Sequence, residues 1–158
     1  MSEVKVQIVR LPALRVASVH GFGRQPETEA WEKLAAWAKS RGYFDDPNNH
    51  HIFGFNNPNP TPASPNYGYE FWITVGPEVE PDGEVEIKHF GGGLYAVMHC
   101  QVHDQPFETI PAGWKKLVLW RENSRYKDAH HQCLEKHIRV AGTQADSFDL
   151  ELYLPIRE

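Results

Sequence analysis

Two alternating, strand-like runs place a glutamate two residues before an aromatic ring: Glu70-x-Trp72 within YEFWITV (69–75) and Glu151-x-Tyr153 within LELYLPI (150–156). Both runs read as strands, and in a strand residues i and i+2 share a face. Each carboxylate therefore stands beside a ring. Such a pair attracts an organic cation twice, by Coulomb attraction and by cation–π contact of about 0.5–2 kcal/mol. A glutamate whose pKa is raised by burial is equally suited to general acid or base catalysis. Binding and hydrolysis are thus adjacent readings of one constellation, with Glu70 and Glu151 as the acids either would use.

The same alternation assigns the opposite faces. Tyr69, Phe71, Ile73 and Val75 point one way, as do Leu150, Leu152, Leu154 and Ile156. These apolar faces require helices to cover them, and the sequence supplies two candidates. Trp31-x-x-Leu34-x-x-Trp37 followed by Tyr43 recurs as Trp114-x-x-Leu117-x-x-Trp120 followed by Tyr126, every residue 83 positions on from its counterpart. Upstream, VQIVRLPALRVASVHG (6–21) parallels VEIKHFGGGLYAVMHC (85–100). A repeat of this kind governs the fold and is sought first. Each half reads as strand, helix, strand, with helices over 27–40 and 110–125. GFNNPNPTPASPNY (54–67) reads as a loop and EVEPDGE (78–84) as the linker between halves. The expectation is one α+β domain over 1–158, from repeats of about 1–80 and 85–158. Its antiparallel sheet would carry helices on one face and Glu-x-aromatic pairs converging on a ligand cleft on the other.

Composition narrows the partners. The 158 residues are 41% hydrophobic and 23% charged, ordinary for a globular chain with its own core. Five Trp, six Tyr and eight Phe favour an aromatic-lined binding surface. A net charge of −5 without a Lys/Arg-dense run argues against direct nucleic-acid binding. Neither a signal segment nor a run of about 18 apolar residues appears, so a cytoplasmic chain without a membrane span is expected.

In order and position, His20-Gly21, the Tyr-Gly-Tyr-Glu-Phe-Trp run at 67–72, the GGLYAV run at 92–97, the Trp114–Trp120 helix and Glu151-x-Tyr153-x-Pro155 resemble the GyrI-like small-molecule-binding domains. These domains also form the effector-binding part of AraC-type and MerR-type multidrug-sensing regulators. The resemblance implies a cleft for hydrophobic, often cationic compounds, lined by a glutamate and aromatics. By motif position Glu151 and Tyr153 match the closing Glu-x-Tyr, while Tyr69, Glu70 and Trp72 match the earlier strand less closely. Trp114, Trp120, Tyr95 and Phe90 complete the candidate ligand-binding set. The chain reads as a stand-alone member that sequesters or senses a small molecule without a cofactor. Hydrolysis of an electrophilic natural product by Glu151 or Glu70 is the enzymatic alternative. A protein-interaction role such as DNA gyrase inhibition, through the acidic 78–86 segment, is the third.

Other motifs yield to simpler readings. Histidines at 50–51, 99 and 103, 130–131 and 137 lack a zinc pattern such as H-E-x-x-H, and no metal site is expected. Gly91-Gly92-Gly93 precedes a strand and is read as a bend rather than a phosphate loop. Cys100 and Cys133 are read as reduced structural thiols.

Overall fold

A strand must pair its backbone groups, and its apolar face must be covered. A computed structural model shows how the chain does both, and describes residues 5–46, 48–102, 106–138 and 148–158. Its strands are β1 (Gln7–Leu11), β2 (Leu14–Gly23), β3 (Ile52–Asn56), β4 (Tyr67–Thr74), β5 (Glu86–Phe90), β6 (Gly93–Val102), β7 (Lys127–Asp128), β8 (Leu134–Ile138) and β9 (Phe148–Arg157). Two helices, α1 (Pro26–Lys39) and α2 (Pro106–Glu122), complete an α+β chain in which the strand pairs described below are all antiparallel.

The chain divides into two compact units, Leu14–Phe90 and Met1–Ala13 with Gly91–Glu158. In the 14–90 unit β2 lies between β4 and β5, and β4 also pairs β3. In the second unit β6 lies between β1 and β9, and β9 also pairs β8 and the short β7. The second unit is therefore built from two separate stretches of the sequence. β1 precedes β2 in sequence but pairs β6, whereas β5 precedes β6 but pairs β2. The strand that precedes β2 thus pairs β6, and the strand that precedes β6 pairs β2.

Each helix covers one face of its sheet. α1 opens on Pro26, whose missing N–H costs nothing in the first turn, carries Glu27 and Glu29 there and ends with Lys39 in its last turn. Its buried Ala30, Leu34 and Trp37 pack with Ala17, Val19, Tyr69, Phe71 and Ile73. α2 packs Leu117, with Trp114, Val118 and Trp120, onto Ala96, Met98, Leu150, Leu152 and Leu154. It starts four residues before the position expected from its pattern, because Pro106 is tolerated at its start and Pro111 lies inside it. Its end is drawn in by Asn123 Nδ2 and Ser124 Oγ, which donate to the carbonyls of Leu119 and Arg121.

The sequence places Gly54 and Phe55 in a loop, but they belong to β3. Gly54 is there for space rather than for a turn: the Tyr69 ring and hydroxyl occupy the volume that a Cβ would need. The loop proper is 57–66. His137 lies within β8.

Candidate functional site

Glu70 is centred on β4, on the face turned away from α1, and is 2% exposed. A buried carboxylate demands donors, and four converge on it. Ser18 Oγ (2.7 Å), Trp72 Nε1 (2.6 Å) and Lys88 Nζ (2.8 Å) donate to Oε2, while Asn57 Nδ2 (3.1 Å) donates to Oε1. Burial pushes the carboxyl pKa up, but the bonds from Lys88, Ser18, Trp72 and Asn57 outweigh it and hold the group below the ordinary carboxylate value. Glu70 thus ties together β2, β4, β5 and the base of the 57–66 loop, where Asn57 also pairs with Gly68 and His20 Nε2 meets Asn57 O at 2.6 Å. The Trp72 ring is fixed from two sides, edge-on to Phe55 (4.9 Å) and tilted against Phe90 (5.3 Å).

Glu151 holds the corresponding place on β9, opposite His99 as Glu70 is opposite His20. Its surroundings differ. The positions that hold Ser18, Trp72 and Lys88 around Glu70 are taken by Val97, Tyr153 and Val9, as the register shows: Val9 pairs with Tyr95 as Lys88 pairs with Val16. Glu151 is half-buried and faces Lys136 across β8, yet no hydrogen bond or ion pair reaches its carboxylate among the described residues. His99 instead meets Asp149 at 3.4 Å. Tyr153 is buried, and burial together with the Glu151 charge pushes its phenol up to about 12. Tyr95 stands edge-on to Tyr153 (5.4 Å) and to His131 (4.8 Å), donates to Gln132 O at 2.5 Å, and is likewise raised by burial. Both tyrosines are neutral phenols at physiological pH and both are buried, Tyr95 fully and Tyr153 at 5% exposure, so the half-buried Glu151 carboxylate is the part of this cluster nearest solvent.

The structure therefore gathers Glu70, Trp72 and Phe90 on one face of the 14–90 unit, and Glu151, Tyr153 and Tyr95 on one face of the other. It separates the remaining candidates from them. Tyr69 lies on the helix side of β4 against Phe71 (4.9 Å), because it is one residue out of phase with Glu70. Trp114 and Trp120 pack on the helix side of their sheet, Trp114 Nε1 donating to Glu135 (3.4 Å) and Trp120 stacking on Tyr126 (6.1 Å). Helical spacing made them core, and the Glu-bearing faces are built without them. Sequence reasoning missed Ser18, Phe55, Asn57 and Lys88. The available signal was Lys88 itself, a charge standing where the aligned strand has Val9.

A surface concavity of about 620 Å³ on the helix side of the 14–90 unit is lined by Glu32, Lys33, Trp37, Arg41, Asp82 and Glu84, and neither Glu70 nor Glu151 reaches it. There two acids of the 78–86 segment are already paired, Asp82 with Arg41 (3.3 Å) and Glu84 with Lys33 (3.5 Å). No group of three or more His, Cys, Asp or Glu able to hold a metal occurs among the described residues, and His103 lies outside them. Cys100 and Cys133 are unbridged, and burial pushes the Cys100 thiol up. No described helix is long and apolar enough to cross a membrane.

The chain belongs to the GyrI-like small molecule binding domain family, whose model matches residues 5–157. This makes it a small-molecule-binding domain. Its fold is similar to the C-terminal domain of EcmrR at 14% identity, with a TM-score of 0.71 and 98% of each chain covered. It is also similar to a hydrolase from Listeria innocua at 12% identity and a TM-score of 0.66, over 99% of this chain and 94% of that one. SAV2435 bound to tetraphenylphosphonium matches at 12% identity and a TM-score of 0.56, over 97% and 94%. No curated protein matches the sequence.

Proposed function

We propose that the chain binds a hydrophobic organic cation on the face carrying Glu151, Tyr153 and Tyr95. The observation that carries this reading is the half-buried Glu151 carboxylate, which stands beside a buried ring without the donors that occupy Glu70. An organic cation supplies the missing charge, and its apolar body gains from ring contact. The similarity to SAV2435, solved with tetraphenylphosphonium, supports this ligand class. The test is calorimetric titration with tetraphenylphosphonium and with neutral triphenylphosphine oxide. Saturable binding of the cation alone, weakened about tenfold by Glu151→Gln, is expected. Affinity unchanged by Glu151→Gln removes the charge role.

The likeness to the Listeria hydrolase favours a second reading, in which Glu151 activates water against an electrophilic carbon held by the tyrosines. Under it, Glu151→Gln abolishes turnover of an electrophilic substrate and leaves binding of its neutral, unreactive analogue intact.

A further inference from the structure

The Glu70 cluster has the composition of an ammonium site. It offers a carboxylate closed to water, an indole N–H that fixes one of its oxygens, and aromatic walls from Phe55 and Phe90 around Trp72. A primary ammonium already occupies it, and that ammonium belongs to the chain. Lys88 reaches Glu70 from β5 with its side chain 41% exposed, against 3% for the side chain of Glu70. Lys88 thus meets the buried carboxylate from its solvent side. Ser18, Asn57 and Trp72 supply neutral donors that remain in place whether or not the amine is present. Among the described residues, Lys88 is the cation paired with this carboxylate.

We propose that Lys88 is a tethered occupant of an alkylammonium site formed by Glu70, Trp72, Phe55 and Phe90, and that it is the residue that excludes free cations from this carboxylate. Lys88 is therefore a specificity-determining residue: with it the chain shows one uncompensated Glu-x-aromatic pair, and without it two. The inference depends on Glu70 alone and stands whether or not Glu151 binds a ligand.

The test is Lys88→Ala in the full chain, titrated with n-propylammonium chloride and, as the neutral counterpart, 1-butanol. Readouts are the thermal midpoint and the fluorescence change that Trp72→Phe removes. The variant is expected to bind propylammonium saturably at millimolar concentration and to recover its midpoint, with butanol inactive and wild type unresponsive. The double variant Lys88→Ala/Glu70→Gln is expected to lose the response. A folded Lys88→Ala chain without saturation, or an equal response in the double variant, overturns the proposal. Should Lys88→Ala fail to fold, site-resolved acetylation of the wild-type chain decides. Lys88 is then expected to react about tenfold faster after Glu70→Gln, the factor that about 1.4 kcal/mol of lost pairing gives. An unchanged rate overturns the proposal equally.

Discussion

Glu70 and Glu151 occupy the same place in two units of the same plan, each across from a histidine and two residues before an aromatic, yet the chain has made one a strut and left the other unclaimed. The difference lies in the strands alongside. Ser18 and Lys88 supply donors to Glu70, while Val97 and Val9 have none to give to Glu151. Equivalent backbone geometry fixes where a carboxylate stands; the neighbouring side chains decide whether it is tied into the fold or left without a donor.

The contrast can be broken most strongly through stability. Glu70→Gln strands Lys88 and disturbs a buried network, and urea unfolding is expected to show a loss of about 3 kcal/mol, against less than about 0.5 kcal/mol for Glu151→Gln. Equal losses would erase the distinction. Acid titration sharpens it. Because the folded chain holds Glu70 below the ordinary carboxylate value, the unfolded chain takes up that proton first. Its contribution is complete above the unfolded value of about 4.3 and fades as pH falls through the folded value. Glu70→Gln should therefore flatten the fall in stability below about pH 4. Next in size is a graft: Val9→Lys places in the second sheet the amine that Lys88 provides in the first. It is expected to weaken tetraphenylphosphonium binding about tenfold, or 1.4 kcal/mol, in calorimetry. Ser18→Ala, which removes one of four donors, is expected to cost about 1 kcal/mol in urea unfolding.

Much of this was legible in residue order. Period-two alternation sorted Glu70 and Glu151 from Phe71 and Leu152, and the Trp-x-x-Leu-x-x-Trp spacing placed α1 and α2 on the apolar faces. What escaped was whatever depended on a partner distant in sequence. Lys88 meets Glu70 only because β5 lies beside β2, and Asn57 only because the 57–66 loop folds back on Gly68. Gly54 looked like a turn because a glycine reserved for a ring and one reserved for a bend are the same letter. Tyr69 was misplaced by resemblance, against the alternation that already put it on the helix side. Trp114 and Trp120 were drawn into the site by their aromatic character, although helical spacing argues for core.

The exchange of first strands bears on how such a chain can be divided. A cut at the Asp82–Val85 turn leaves residues 1–82 holding β1 without β6 and β2 without β5, so that neither fragment retains a complete sheet. The halves behave as a clasp whose two hooks are each fastened on the other piece. Either half alone presents open strand edges that invite foreign pairing.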